Sequence, residues 1–325
     1  MNNIRPLSAE EFAAALFAIE RPVILTHTHP DGDTVGTAAA LAAAFRETGK
    51  VACYASEEPL PPRLAFLAEG MPRAERWDGL TPVAVDIASP AQLGRLADAV
   101  GGGAGVALML DHHEVGEPFA SYFLVAGASS AGEVLLTVLD AAVKAGILTL
   151  TKEIAAPLYA AISSDTGCFR FSNATASAHR AAARLLDFGI DAADINHRLF
   201  DSKSAAQIAA EGFAARELHS PLPHVTGLCI SRAAREALGV SLSDFETAID
   251  IVRSLTGTEI AYVIKETDDK RFRISLRSTG ADVGAVAAAL GGGGHVRAAG
   301  CTITANDLKF AEGKLLEILR GTKIL

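Results

Sequence analysis

Apolar runs rich in β-branched residues alternate along this chain with Ala- and Leu-rich stretches of helical period. The run "PVILTH" at 22–27 predicts a strand and hands over to a helical pattern at about 35–48 that stops at Gly49. "VACYA" at 51–55, "VAVD" at 83–86 and "VALMLD" at 106–111 predict further short strands, with the Pro-rich "EPLPPR" at 58–63 as a turn. Ser130, with Glu133 three residues on, forms a capping-box signature that opens a helix over "AGEVLLTVLDAAVKAG". Near the N-terminus, "FAAALFAI" at 12–19 predicts an amphipathic surface helix. Its flanks Glu10, Glu11, Glu20 and Arg21, with no small-residue cleavage site, set it apart from a signal peptide. Strands alternating with helices predict a parallel sheet with helices on both faces.

The texture changes after Phe200. "SKSAAQIAAEGFAARELH" predicts a long connecting helix. Beyond Pro221, "TGLCIS", "EIAYVIKE" and "RFRISLRS" predict strands, and helical patterns cover about 243–256 and 282–290. "LGGGGHVRAAGCTI" then leads to a last helix near 306–320. The expected organisation is an α/β chain of two domains. Residues 1–200 form a parallel-sheet domain, 201–221 a linker helix, and 222–325 a smaller α/β domain. The cluster "GGGAG" at 101–105 precedes a strand rather than joining strand to helix, so it reads as a surface turn and not a phosphate cradle.

A length of 325 residues, half of them hydrophobic, suits two cores better than one. Cys53, Cys168, Cys229 and Cys301 are scattered with no Cys-x-x-Cys pair, which fits a reducing cytoplasm and excludes a disulfide framework or zinc ribbon. No stretch approaches the roughly 18 apolar residues of a membrane span. The net charge of −9 is unevenly spread. Residues 1–200 carry 14 Lys and Arg against 23 Asp and Glu, whereas 201–325 carry 15 of each. Such a surface disfavours long nucleic-acid duplexes.

Ionisable residues collect where apolar runs end. "HTHPDGD" (27–33), "VAVDIAS" (83–89), "LMLDHHEVG" (108–116) and "ISSDTGCFRF" (162–171) each place an Asp just after an apolar stretch, and two of them add histidines. Singly, "PDGD" is a turn, an Asp at a strand end is a helix cap, and a His pair is half-buried structure. Together they predict a converging group of Asp and His at the carboxyl edge of one sheet, where open α/β sheets bind ligands. Buried carboxylates need a cation or a partner. Mixed carboxylate and imidazole donors favour Mn²⁺ or a similar divalent ion, with Mg²⁺ or Co²⁺ as alternatives.

These four segments, in this order, resemble the motifs of the DHH phosphoesterase superfamily, with Asp111-His112-His113 as the eponymous triplet. "GGGGHVRAAG" at 291–300 is similar to the glycine-rich motif of the DHH-associated C-terminal domain. The short two-domain form with "HxHPDGD", "DTGxFRF" and "SLRS…GGGGH" resembles the nanoRNase type, so the resemblance spans nearly the whole chain. It implies an oligoribonuclease that also removes a phosphate from 3′-phosphoadenosine 5′-phosphate, with an active site in a cleft between the two domains.

The resemblance also implies a ligand set. His27 and Asp31 would bind one metal, Asp33, His112 and Asp165 the other, and Asp86 would bridge them. His113 would contact a phosphate oxygen, and Asp111 would orient an imidazole. The family's first motif often carries Asn where His29 stands, so His29 receives no metal role. For substrate, Arg170, Arg277 and Ser278 suit phosphate contact, while Gly292, Gly293 and Gly294 let backbone N–H groups approach a phosphate beside His295. The expected partners are short RNA fragments and bisphosphorylated nucleotides, with no duplex DNA and no membrane, and a homodimer is allowed. Two readings compete: a cyclic or linear dinucleotide phosphodiesterase, and a nucleotide-binding regulator that does no chemistry. An intact ligand set argues against the second.

Overall fold

The computed structural model describes residues 4–321 except 268, 269 and 295. The chain divides into two compact units, Met1–Ser202 and Lys203–Leu325.

The first unit is built on a parallel sheet of β1 (Pro22–Leu25), β2 (Cys53–Ala55), β3 (Thr81–Val85), β4 (Leu108–Asp111) and β5 (Ser121–Leu124). The strand order is β2-β1-β3-β4-β5, and every pairing is parallel. Chain direction across the sheet reverses between β1 and β3, the switch point at which such sheets open a crevice beyond their carboxyl ends. Leu25 lies beside Ala84, and Val85 beside Leu110. His27, Asp86 and Asp111 therefore emerge at one edge. Strand β5 has no counterpart in the expected elements.

Helices α1 (Ala9–Phe17), α2 (Gly32–Glu47), α3 (Leu96–Ala99), α4 (Ala131–Lys144), α5 (Lys152–Asp165), α6 (Ala176–Leu186) and α7 (Ala192–Asn196) complete the unit. Helices α1, α2, α4, α5 and α6 cover one face, packing on Ile24, Val83, Val85, Leu108 and Leu110. The other face, with Val23, Leu25, Ala84 and Met109, is covered by a thinner layer that includes Leu93 and Val100. Both faces are buried, so the strands read as continuous apolar runs.

Helix α2 is buried almost throughout, which explains its alanines. It lies close against α5 because Gly32 and Gly36, one turn apart, have no side chains to hold it off. A Cβ on Gly36 would come within 2.8 Å of the Pro157 carbonyl oxygen and 3.1 Å of Ala161 Cβ. One on Gly32 would come within 2.3 Å of Ser164 Oγ.

The second unit carries β6 (His219–Leu222), β7 (Val225–Ile230), β8 (Ile260–Glu266), β9 (Arg271–Ser278), β10 (Gly293–Gly294) and β11 (Ala298–Thr304) in the order β10-β11-β9-β8-β7-β6. Only β7 and β8 are parallel. Its helices are α8 (Ala205–Glu217), α9 (Arg232–Leu238), α10 (Ala248–Arg253), α11 (Val283–Ala289) and α12 (Leu308–Gly321). One face packs on α8 and α10 through Leu228, Ile230, Ala261 and Val263. The other packs on α11 and α12 through Tyr262, Ile264, Ile274 and Leu276. Helix α8 shares its core with β7 and β8.

Gly36→Ala is expected to lower stability, because the Pro157 backbone cannot yield. Overpacking of this kind costs about 1–3 kcal/mol. Gly212→Ala, in α8 with open space around its Cα, is expected to be neutral or stabilising by up to about 1 kcal/mol. Thermal melting of both variants checks the contrast, and an unchanged melting temperature for Gly36→Ala would remove close helix contact as a constraint.

Candidate metal centre

Each ionisable group at the sheet edge is placed by an identifiable backbone device. Asp31 is the N-cap of α2, and its Oδ1 accepts from the N–H groups of Asp33 and Thr34 at 3.0 and 3.1 Å. The turn expected of "PDGD" is thus also the helix cap of α2. Asp33 lies in the first turn of α2 and is buried. Its carboxylate accepts from the Ala131 and Gly132 N–H groups at the start of α4, at 2.7 and 3.0 Å, and from Thr37 Oγ1 at 3.1 Å. Asp86 follows β3 with φ 58°, a left-handed conformation that costs a non-glycine residue on the order of 1 kcal/mol. The Asp86 N–H donates to the Leu110 carbonyl at 2.9 Å, which fixes the turn.

Asp165 arrives differently. The apolar stretch before it is the last part of helix α5, which it ends, so it reaches the sheet edge from a helix C-terminus. Asn173 donates to its Oδ2 at 3.1 Å and to the Ser129 carbonyl at 3.0 Å. The capping box at Ser130 is half formed. Ser130 caps α4 by accepting from the Glu133 N–H, but the Glu133 carboxylate takes the N–H and hydroxyl of Ser129, at 2.8 and 2.6 Å.

The imidazoles are oriented through Nδ1. His27 Nδ1 lies 2.7 Å from the Thr28 carbonyl, and His112 Nδ1 lies 3.0 Å from the Ala128 carbonyl. A carbonyl can only accept, so Nδ1 carries the proton and Nε2 faces inward. His27 Nε2 stands 3.6 Å from Asp31 and 3.4 Å from Asp86. His112 Nε2 stands 3.5 Å from Asp86 and 3.7 Å from Asp33. His113 is held in another way, with its Nδ1 2.7 Å from Asp111 Oδ1.

Two donor groups result. Among the described residues, the ligand atoms of His27, Asp31 and Asp86 lie within 4.8 Å of one another, and so do those of Asp33, His112 and Asp165. Asp86 lies between them, touching both imidazoles. Its Oδ1 is buried with no hydrogen-bond partner among the described residues. An orphaned carboxylate oxygen flanked by two imidazoles fits a cation better than it fits a finished hydrogen-bond network. The donors are all oxygen and nitrogen, so the site fits a pair of divalent ions. Asp86, His112 and His113 form a third such group, although the His113 ring is committed to Asp111 at Nδ1.

Without cations the charges compensate internally. Burial disfavours charge on His27 and His112, but neighbouring carboxylates outweigh it and push both rings up to about 11. Burial raises Asp33 well above the usual carboxylate range, reinforced by Asp86. Burial also pushes Asp165 up to about 7, with Asp31 and Asp86 adding to it against the opposing pull of His112. Asp86 goes the other way: burial opposes its charge, yet the His112 and His27 contacts hold it below the ordinary range.

The remaining sequence-derived residues divide. His29, at φ 56°, pairs with Glu58 at 2.9 Å and takes no part in the cluster. Arg170 is exposed, five residues beyond Asp165, with its Nε donating to the Gly167 carbonyl at 2.6 Å. In the second unit Arg277 is half-buried, its Nη1 donating to the Leu276 carbonyl at 2.9 Å, with no carboxylate in ion-pair contact among the described residues. The Ser278 hydroxyl is taken by the Ala281 carbonyl. Gly292 and Gly294 have a local packing reason to be glycine. A Cβ on Gly292 would fall 2.2 Å from the Gly300 carbonyl oxygen, and one on Gly294 2.5 Å from Ala299 Cα. Gly293 is exposed with open space around it. His295 lies outside the described residues. Sequence reasoning missed Thr37 and Asn173. Thr37 sits one helical turn beyond Asp33, a spacing that could have revealed it.

The profile of the DHH family N-terminal domain matches residues 21–162, and that of the DHHA1 domain matches residues 229–321. The chain is 32% identical over 321 residues to the bifunctional oligoribonuclease and PAP phosphatase NrnA of Thermus thermophilus, covering 95% of this chain and 92% of that protein. It is 25% identical over 288 residues to the protein of the same name from Bacillus subtilis, covering 88% of this chain and 90% of that one. A solved structure of an exopolyphosphatase-related protein from Bacteroides fragilis superposes with a TM-score of 0.84 at 20% identity, covering 95% of this chain and 96% of that one. The last likeness establishes the fold alone.

Metal loading should release protons. A raised imidazole pKa means that His27 and His112 hold protons at neutral pH, a contribution to folding that is complete below about 6.5 and lost as pH rises through about 11. Ligation requires neutral rings. Titration calorimetry near pH 7 in buffers of different ionisation enthalpy is therefore expected to show release of more than two protons per chain filled, two from the imidazoles and the rest from Asp33 and Asp165, and apparent metal affinity should rise with pH. An observed enthalpy that ignores the buffer would exclude the two imidazoles as ligands.

Proposed function

The chain belongs to the DHH family, and on that premise we propose that it is a two-metal phosphoesterase hydrolysing short oligoribonucleotides and 3′-phosphoadenosine 5′-phosphate. The observation that carries the reading is the pair of donor groups with Asp86 between them: it belongs to one and contacts His112 of the other, and its buried Oδ1 has no hydrogen-bond partner among the described residues. His27, Asp31 and Asp86 would hold one ion, and Asp33, His112, Asp165 and the same Asp86 the other. Mixed imidazole and carboxylate donors favour Mn²⁺. When bound, such ions polarise the phosphoryl group and supply a nucleophile at neutral pH.

The chain's own groups do the rest. His113, held by Asp111 through Nδ1, is raised above the ordinary imidazole range: burial opposes the charge, and Asp111 outweighs it. It would donate a charge-assisted hydrogen bond to a non-bridging phosphate oxygen. Asp111 acts through His113 and is a positioning residue. Thr37 and the α4 N–H groups hold Asp33, and Asn173 holds Asp165, so both carboxylates are aimed before any ion arrives.

We assign the chemistry to residues 1–200 and substrate selection to residues 222–325, joined through 201–221. Arg277 is the strongest candidate for substrate contact: Asp250 acts on it from a distance, but no carboxylate is in ion-pair contact with it among the described residues. Arg170 and the backbone of Gly292, Gly293 and Gly294 would contact further phosphates, together with His295. Ser278 would support that loop. We place the protein in the cytoplasm. Four free cysteines suit a reducing compartment, and among the described residues no helix is long and apolar enough to cross a membrane.

One rate panel tests the reading: a dinucleotide, a pentanucleotide, a long RNA, 3′-phosphoadenosine 5′-phosphate, pGpG, a cyclic dinucleotide and pyrophosphate. Chelation should abolish turnover, and Mn²⁺ should restore it better than Ca²⁺. The two shortest RNAs and the bisphosphate should lead. Turnover by demonstrably metal-free protein would end the two-metal assignment, and preference for pyrophosphate would end the substrate assignment.

Within the histidine pair, His112→Ala is expected to lose metal as well as activity. His113→Ala should keep its metals and lose about 10²–10³ in kcat. Metal counts on both variants decide, and the reverse pattern would exchange the roles. For selection, Arg277→Ala should cost about 1.5–3 kcal/mol in kcat/KM on dinucleotide and bisphosphate, while bis-p-nitrophenyl phosphate is barely affected. An unchanged ratio of the two values would remove Arg277 from substrate contact.

A further inference from the structure

The second unit contains a cluster that phosphoester chemistry does not use. His219 begins β6, Cys229 lies on β7, Tyr262 on β8 and Glu312 on α12. Sheet pairing assembles it. His219 is paired with Gly227, and Gly227 with Tyr262, so the three form a row across the sheet. Cys229 lies two residues along β7 from Gly227, on the same face. A Cβ on Gly227 would fall 2.0 Å from the Tyr262 ring. The tyrosine therefore lies across the glycine and carries its hydroxyl towards the edge strand. From the helix side, Ala311, Leu315 and Leu319 pack α12 onto the core around Tyr262, which sets Glu312 over the row.

The ligand atoms of His219, Cys229 and Glu312 lie within 4.8 Å of one another. His219 Nε2 is 2.6 Å from Glu312 Oε1. The Tyr262 hydroxyl donates to the same oxygen and lies 3.5 Å from His219 Nε2. The Cys229 sulfur lies within 4.8 Å of a Glu312 carboxylate oxygen. One carboxylate is thus ringed by imidazole, thiol and phenol. Burial raises the Cys229 thiol, and Glu312 adds to it, so sulfur keeps its proton while no cation is bound. Glu312 remains ionised. Burial opposes its charge, but Tyr262 and His219 hold it below the usual carboxylate range.

We propose that His219, Cys229 and Glu312 form a binding site for a borderline-soft divalent cation of the zinc class. Sulfur, nitrogen and oxygen at one point suit such an ion and not Mn²⁺ or Mg²⁺. The donor set contrasts with the oxygen and nitrogen set of the first unit, so the two sites would sort different ions. On binding, the Cys229 thiol releases its proton to solvent and sulfur bonds the ion. His219 gives up the Nε2 hydrogen that it donates to Glu312, which moves to Nδ1 or to solvent, and offers the freed lone pair; Glu312 offers one oxygen, which leaves a position open. The cluster is reachable, with the His219 side chain 41% and Glu312 19% exposed. The inference does not rest on the phosphoesterase reading.

Cobalt is the probe, used on the full chain. A thiolate bound to Co²⁺ absorbs by charge transfer, and none of the residues assigned to the first-unit ions is a cysteine. The wild type should develop this absorption on Co²⁺ titration, and zinc should displace it. Cys229→Ser should abolish it. Cys168→Ser, the control for the cysteine nearest Asp165 in sequence, should not. Should Cys229→Ser melt early, His219→Ala serves in its place. Removing a direct ligand should weaken zinc by more than the roughly 10–100-fold lost with an outer partner. Mn²⁺-supported hydrolysis of bis-p-nitrophenyl phosphate should survive in Cys229→Ser. A purely hydrogen-bonded cluster gives no thiolate band at any cobalt concentration. That result, or a band persisting in Cys229→Ser, overturns the site.

Discussion

Asp86 is the group on which the first unit's centre turns. Its carboxylate is buried between two imidazoles, with Asp33, Asp31 and Asp165 also at hand. Carboxylates this close cannot all ionise in a buried space without positive charge among them. In the metal-free protein, His27 and His112 supply that charge as imidazolium, and Asp33 and Asp165 answer by holding protons more tightly. The arrangement balances, yet leaves Asp86 Oδ1 unsatisfied. A pair of divalent ions would relieve all of these tensions together: it would free the imidazole lone pairs, fully ionise the carboxylates and occupy the orphaned oxygen.

Such crowding demands close backbone approach, and glycine and alanine provide it. Asp33 starts α2, Asp165 ends α5, and the α4 N-terminus donates to Asp33. Three helix ends can meet at one point only if their axes come close. Gly32 and Gly36 bring α2 onto Ser164, Pro157 and Ala161. A Cβ on Gly132 would lie 2.5 Å from Ala161 Cβ, so α4 closes from the other side. The helix termini also carry opposite partial charges. The α4 N-terminus favours ionised Asp33, whereas the α5 C-terminus disfavours charge on Asp165; burial is the largest cause at both, raising Asp33 despite the helix end and Asp165 to about 7.

Much of this was legible in the sequence, because strand ends advertise themselves. His27, Asp86 and Asp111 each follow or close an apolar run. The parallel sheet follows from alternating periods, whereas its switch point appears only with the observed strand order. Other features depend on contacts between remote segments and leave no local mark. Asp165 follows an apolar stretch as the other three Asp do, but that stretch is the end of the buried helix α5, whose texture does not set it apart from a strand. Glu133 looked like a capping-box partner, and only the position of Ser129 shows where its carboxylate goes. Strand β6 was absorbed into the expected linker helix, since "HSPL" has no alternation and contains Pro221. The grouping of His219, Cys229 and Glu312 joins two strands and a helix some ninety residues apart. No spacing rule reaches that far.

The adjacent histidines of the triplet show how one hydrogen bond can divide labour. His112 and His113 have rings 4.6 Å apart and both lie near Asp86. Their difference is the partner at Nδ1. A backbone carbonyl at His112 fixes the tautomer but adds no full charge, so the ring can give up its Nε2 proton when a cation competes. A carboxylate at His113 adds a full negative charge that no proposed ion shares, because Asp111 is not among the groups assigned to hold one. On the proposed reading, an arriving cation would discharge His112 and leave His113 protonated. On the proposed reading, that is the state required of a residue facing a phosphate oxygen: charged, oriented and still holding its proton. The proposed roles would follow from the acceptor each ring meets, although the two residues share type, burial and neighbourhood.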